Sequence, residues 1–215
     1  MKQANNKAKS IIKSRLIERY KDADTELSYN SLYELIIAVM LSAQCTDKRV
    51  NIITPALFKK YPNIKSLSKA PLEDIKELIK SCSFYNNKAK NLLSMAKMVL
   101  SDFDGKIPLD NTLLTRLPGV GQKTANVVMI EFTKANLMAV DTHVFRVSHR
   151  LGLSDSKTPN ETEKDLNKAF KTDLHILHQG MVLFGRYICT ARNPKCDEAC
   201  FLQEFCQTTK NFKPS

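Results

Sequence analysis

Leu117-Pro118-Gly119-Val120-Gly121-Gln122-Lys123-Thr124-Ala125-Asn126 reads as the end of one helix, a tight turn and the start of another. Pro118 fixes φ, while Gly119 and Gly121 admit backbone conformations and close approaches that a side chain blocks. The helix expected from Gln122 presents unpaired N–H groups and the positive end of its dipole to an anion. Such a turn anchors a nucleic-acid backbone without reading its sequence, so Leu117, Gly119, Val120, Gly121 and Thr124 become candidate DNA contacts. A nucleotide-binding loop also carries Lys-Thr after glycines, but it needs glycine immediately before the lysine and a strand ahead of it. Here Gln122 precedes Lys123, and the spacing ahead of the turn is helical.

Outward from this turn the apolar spacing stays helical, and no segment alternates as a strand does. Ser31-Leu32-Tyr33-Glu34 has capping-box form and opens a helix with Leu32, Leu35, Ile36, Val39 and Met40 on one face. Pro71 begins another, with Leu72, Ile75, Leu78 and Ile79 inward. Ala89 to Phe103 marks a longer helix that Gly105 is placed to stop, and Val144 to Leu151 one closed near Gly152. Shorter patterns follow over residues 161–170 and 174–184, then a loop-rich end holding most of the cysteines. The expected class is all-α.

Composition bounds the partners. Thirty-three Lys and Arg against twenty-two Asp and Glu give +11 over 215 residues, dispersed along the chain rather than gathered in a tail. That excess favours a polyanion over a membrane or an acidic substrate pocket. The longest apolar run, Leu35 to Leu41, is too short to span a bilayer. Met1-Lys2-Gln3-Ala4-Asn5-Asn6 has no apolar signal core, so a cytoplasmic location is expected.

Lys123 has two readings. It is a phosphate contact in a passive DNA-binding module, or it is a nucleophile beside the gripped phosphate. A lysine free in water has a pKa of ~10.4, which leaves on the order of one in a thousand neutral at pH 7. A helix N-terminus contributes only about 0.3–1 kcal/mol, so activation would need a desolvated site. Asp141, in Val140-Asp141-Thr142-His143, is either a helix N-cap or a carboxylate that stabilises positive charge. Both roles coexist if one oxygen caps and the other stays free. His143 and Arg146 follow on the same helix as further candidate DNA contacts.

Six cysteines divide unevenly. Cys45 and Cys82 stand alone and read as small buried residues. Cys189, Cys196, Cys200 and Cys206 crowd the C-terminal region, and in a reducing compartment such a cluster points to metal before disulfides. Spacing by itself leaves zinc and iron–sulfur ligation both open.

With these residues in view, the chain resembles the endonuclease III family of helix-hairpin-helix DNA glycosylases. The resemblance runs from Leu32 to Cys206 and rests on Leu41-Ser42-Ala43-Gln44-Cys45-Thr46-Asp47, the Leu117–Asn126 hairpin, Val140-Asp141-Thr142-His143, and Gly185-Arg186-Tyr187 leading into the cysteines. It implies a two-lobed all-α fold with a C-terminal iron–sulfur loop. Residues 25–135 would form a contiguous bundle with the hairpin, and residues 1–24 plus 136–215 a second lobe with the cysteines. It implies a monomeric enzyme of base-excision repair acting on duplex DNA with damaged pyrimidines or abasic sites. Lys123 would attack the sugar C1′, expel an oxidised pyrimidine through a Schiff base, and cleave the strand by β-elimination, with Asp141 as the essential carboxylate.

The same resemblance makes Cys189, Cys196, Cys200 and Cys206 ligands of a [4Fe–4S] cluster. The chain departs from the usual pattern by placing three residues, Asp197-Glu198-Ala199, where two are usual. Arg192 and Lys195 ride the first cysteine loop and would present cations to phosphate, unless that loop is simply solvated. Gln44 matches the position of an inserted polar side chain. Phe84 stands where leucine is usual, and is either a second wedge or a core residue. An adenine-specific mismatch glycosylase, the rival within the fold, lacks the lysine found at position 123.

Overall fold

The computed structural model describes residues 3–208; residues 1–2 and 209–215, the outer ends of the second expected lobe, lie outside them. Among the described residues the chain is all-α, without a strand. Its helices are α1 (Asn6–Tyr20), α2 (Leu32–Ser42), α3 (Asp47–Lys60), α4 (Ile64–Ser68), α5 (Leu72–Ile79) and α6 (Tyr85–Asp102). They continue as α7 (Asn111–Leu114), α8 (Gln122–Thr133), α9 (Thr142–Arg150), α10 (Pro159–Ala169), α11 (Leu174–Tyr187) and α12 (Cys196–Ala199). The chain divides into two compact units, one of residues 25–133 and one joining the first 24 residues to residues 134 onward.

In the contiguous unit α2 is the spine. Eight of its eleven residues are buried, including Ile37, Ala38 and Leu41, so it is enclosed on nearly all sides rather than along the single stripe its spacing implies. α3, α6 and α8 pack around it. The expected capping box is only half made. Ser31 accepts from the Glu34 backbone N–H at 3.2 Å, but the Glu34 carboxylate accepts instead from the Asn30 backbone and side-chain amides at 2.7 and 3.0 Å. α5 buries Ile75 and Ile79 as its period dictates, while Leu72 and Leu78 pack against the same core half-exposed.

The second unit is built on α11, which packs on α1 and α9. Ile12 and Leu16 from α1 share a core with Val144 and Val147 from α9 and with Leu177, Met181 and Phe184 from α11. The α9–α11 crossing depends on Gly185. A Cβ there would lie 2.9 Å from His143 Cβ and 3.1 Å from Val147 Cγ2, closer than packed carbons tolerate.

Candidate functional site

The hairpin forms as read. Leu117 and Val120 are buried anchors, and the Val120 N–H donates to Leu117 C=O at 3.0 Å to close the turn. Gly119 sits at φ +80°, and a Cβ on it would meet Asn91 Cβ at 2.7 Å, so both conformation and space require glycine. Gly121 differs: its φ is ordinary, and a Cβ would find no neighbour within 4 Å. Nothing inside the protein demands glycine there, which corrects the equal weight the sequence reading gave the two glycines. The Gln122 side-chain amide donates to Asn111 Oδ1 (2.6 Å) and Asn126 Oδ1 (2.8 Å), and Asn111 donates to Asn126 (2.7 Å). This triad fastens the first turn of α8 to α7.

Lys123 is exposed on that first turn, with Thr124 half-buried beside it. No acidic residue shares the turn, and among the described residues no hydrogen bond or ion pair holds the Lys123 ammonium. The Lys123 ammonium thus stands at the helix N-terminus with no carboxylate in the same turn.

Gln44 and Phe84 occupy two turns of the same unit, both in the left-handed region at φ 55° and 57°. Residues with side chains sit there at a cost of roughly 1–2 kcal/mol, and such conformations concentrate at functional turns. Phe84 is 63% exposed, so it is not a core residue. The two turns are linked. Cys45 Sγ lies 3.4 Å from Cys82 Sγ, and buried Lys88 donates to Leu41 C=O and Ala43 C=O, each at 2.7 Å. Lys88 thereby satisfies carbonyls at the C-terminus of α2 with a cation, the favoured sign there. No sequence pattern had singled it out.

In the other unit Asp141 is half-buried and caps α9. Its Oδ1 accepts from the His143 N–H (2.9 Å) and the Val144 N–H (2.7 Å), and among the described residues Oδ2 accepts no hydrogen bond. His143 Nδ1 lies 3.2 Å from Arg146 Nη2; since arginine only donates, Nδ1 accepts and the ring proton sits on Nε2. Burial, followed by the charges of Arg146 and Arg186, pulls the His143 pKa below its usual 6.5 against the opposing carboxylate of Asp141.

Arg146 departs from its expected role as a DNA contact. Its Nε donates to Cys189 C=O (2.9 Å) and its Nη2 to Gly185 C=O (2.7 Å), so the guanidinium clamps α9 to the end of α11. One turn later Arg150, which the sequence reading missed, is 3% exposed and points at the cysteine loop. Its Nη1 reaches Thr190 C=O at 2.7 Å and Cys189 Sγ at 3.3 Å. The i, i+4 spacing of the two arginines on one helix face was the available signal.

Cys189, Cys196, Cys200 and Cys206 line one cavity of about 370 Å³, together with Arg150, Phe184 and Ile188. The extra residue between Cys196 and Cys200 is absorbed because Cys196–Ala199 coils into a helical turn. Residues four apart on a helix share a face, so both sulfurs reach the cavity. Burial first, then the sulfurs of Cys206 and Cys189, push the Cys196 thiol up, and burial raises Cys200 as well. A metal centre that compensates thiolate charge would offset that penalty at Cys196 and Cys200. The four sulfurs thus share the lining of one cavity, the donor set that an iron–sulfur cluster takes. Arg192 and Lys195 are exposed on the loop ahead of Cys196.

Comparison with known proteins agrees with this geometry. The model of the HhH-GPD superfamily of base excision DNA repair proteins matches residues 37–172, and that of the iron–sulfur binding domain of endonuclease III matches residues 189–206. Endonuclease III of Bacillus subtilis (strain 168) is 44% identical over 192 residues, spanning 88% of this chain and 87% of the relative. Endonuclease III of Escherichia coli (strain K12) is 38% identical over 204 residues, spanning 94% and 96%. A solved structure of a trapped endonuclease III–DNA covalent intermediate superposes with a TM-score of 0.91 at 39% identity, covering 95% of this chain and 97% of that one. The cysteine cavity and the matched iron–sulfur domain together make the cofactor a [4Fe–4S] cluster. Hairpin, cysteine centre and whole-length similarity place this chain in the endonuclease III family of base-excision DNA glycosylases and abasic-site lyases.

Proposed function

We propose that the protein removes oxidised or ring-saturated pyrimidines from duplex DNA through a Schiff base on Lys123 and then cleaves the strand at the abasic site. The observation that carries this reading is the Lys123 amine: it is exposed on the first turn after the hairpin, with no carboxylate in that turn. The neutral amine attacks C1′, the bond from C1′ to the base breaks, and the base leaves with a proton; the C1′–O4′ bond then opens, O4′ taking up a proton to become a hydroxyl while the nitrogen forms the iminium with C1′. Loss of a C2′ proton from the resulting iminium then expels the 3′ phosphate. Asp141 Oδ2 stabilises positive charge on the sugar as the base departs, while Oδ1 keeps the helix capped. The covalent DNA intermediate of the structural relative supports this chemistry.

The remaining residues grip and open the duplex. The hairpin, with Leu117, Gly119, Val120, Gly121 and Thr124, holds phosphate; at Gly121 the space a Cβ would fill is open for it. Gln44 and exposed Phe84 fill the stack left by the extruded nucleotide. Cys189, Cys196, Cys200 and Cys206 hold the cluster, which organises the loop so that Arg192 and Lys195 meet phosphate. His143 and Arg146 act indirectly, by positioning Asp141 and the cysteine loop. In this reading the hairpin unit and the cysteine-bearing unit are the two working lobes of a monomer acting in the bacterial cytoplasm; among the described residues no helix is long and apolar enough to cross a membrane.

Borohydride reduction on lesion-bearing duplex tests the reading. Wild type becomes covalently attached, and Lys123→Gln binds the lesion but does not cross-link. Undiminished trapping in Lys123→Gln would remove this lysine as nucleophile.

A further inference from the structure

Cys45 and Cys82 have no part in the cluster. Cys45 directly follows Gln44, and Cys82 stands two residues before Phe84. Their sulfurs are 3.4 Å apart, joining the two turns that carry the exposed wedge candidates. A disulfide brings sulfurs to about 2.05 Å, so bond formation needs an approach of only about 1.4 Å. Cys82 is 3% exposed and Cys45 is the more open of the two, so a small oxidant meets Cys45 first. Burial, and then the Cys45 thiol, push the Cys82 pKa up to about 12, which keeps Cys82 a protonated, resting thiol until its neighbour is activated.

We propose that Cys45 and Cys82 form a reversible disulfide, a redox switch that binds the Gln44 and Phe84 turns together and disengages the enzyme from lesions under oxidising conditions. The inference rests on the reading of Gln44 and Phe84 as wedges. The oxidant is a low-molecular-weight disulfide. The Cys45 thiolate attacks it, forming a mixed disulfide and releasing one thiol. Cys82 then loses its proton and attacks the Cys45 sulfur, closing the protein disulfide and releasing the second thiol. Two protein thiols are oxidised and one small disulfide is reduced to two thiols, so the exchange balances.

The mechanical consequence follows from what is fixed. Lys88 pins the carbonyls of Leu41 and Ala43, so α2 resists the pull and the movement falls on residues 44–45 and 82–84. Gln44 and Phe84 already occupy left-handed backbone with few alternatives, so a shift of this size re-aims both side chains.

The test uses the cluster-loaded protein, treated with oxidised glutathione, and the visible absorbance of the cluster is monitored throughout. Peptide mapping should find a Cys45–Cys82 cross-link that dithiothreitol removes. Affinity for a lesion duplex should fall by about tenfold on oxidation and recover on reduction, an effect of ångström-scale misplacement. Cys45→Ala should bind like the reduced wild type under both conditions, and Cys82→Ala provides a second, independent block. Absence of the cross-link overturns the inference. An oxidative loss of binding that persists in Cys45→Ala overturns it too, because the effect then belongs to the cluster. Phe84→Ala separates the inference from its premise. If it weakens lesion binding while the cross-linked protein binds normally, the switch fails and the wedge reading stands. If Phe84→Ala and the cross-link both leave binding unchanged, the wedge reading fails and takes the switch with it.

Discussion

The proposed function gives Asp141 two tasks, one for each oxygen, and two substitutions separate them. Oδ1 receives the N–H groups of His143 and Val144 at 2.9 and 2.7 Å, while Oδ2 receives no hydrogen bond among the described residues. Asn ranks with Asp as an N-cap, so Asp141→Asn preserves the cap and forfeits only the attraction of a charge to the helix dipole, about 0.3–1 kcal/mol. Asp141→Ala removes the cap as well and costs about 1 kcal/mol more, or roughly 2–4 °C in midpoint for a chain of this size. Chemistry should respond differently. Both substitutions remove the carboxylate, so both should slow single-turnover base release by about 10²–10³-fold, equivalent to about 3–4 kcal/mol of barrier. Thermal unfolding and single-turnover excision on a duplex with a ring-saturated pyrimidine supply the two readouts. The reasoning is refuted if Asp141→Asn excises at the wild-type rate, or if its rate loss only tracks a loss of folded protein.

Phe84→Gly should relieve roughly 1–2 kcal/mol of left-handed strain and lose about as little in burial, since the ring is 63% exposed. Its stability should therefore stay within about 1 kcal/mol of wild type while lesion affinity drops by about 1–3 kcal/mol of stacking; equal losses on damaged and undamaged duplex would contradict the wedge. Arg150→Met should leave the Thr190 carbonyl without its side-chain donor, at about 1–3 kcal/mol, and yield protein with reduced iron and sulfide content; full cluster loading would show that Arg150 is dispensable. His143 has a folded-state pKa below its unfolded value of 6.5, so the unfolded chain takes up the proton first as pH falls. Stability should decline as pH is lowered through 6.5, and unfolding curves of His143→Gln should lack that component of the decline.

The hairpin was legible because its instructions are local. Pro118, the two glycines and the helix-forming run after Gln122 specify a turn that needs few distant partners, although the lack of an internal demand at Gly121 appeared only in three dimensions. The helix after Asp141 was equally plain, since an N-cap acts within three residues. Phe84 was ambiguous because an aromatic in a helical pattern packs or protrudes according to what surrounds it, and its exposure settled the matter against the core. Lys88 was invisible because its partners lie 47 and 45 residues away, and a buried ammonium has no periodic signature.

The all-α class, the turn that presents Lys123, the capping position of Asp141 and the grouping of four cysteines are all legible along the chain, because each depends on spacing within a few residues. The rest came from packing between distant segments. It turned Arg146 inward onto the carbonyls of Gly185 and Cys189, set Arg150 against the cysteine cavity, and wound Cys196–Ala199 into the turn that absorbs the extra residue. It also brought Cys45 to 3.4 Å from Cys82. Those outcomes depend on which helices pack together and on which buried polar groups must find partners, and these are properties of the assembled core.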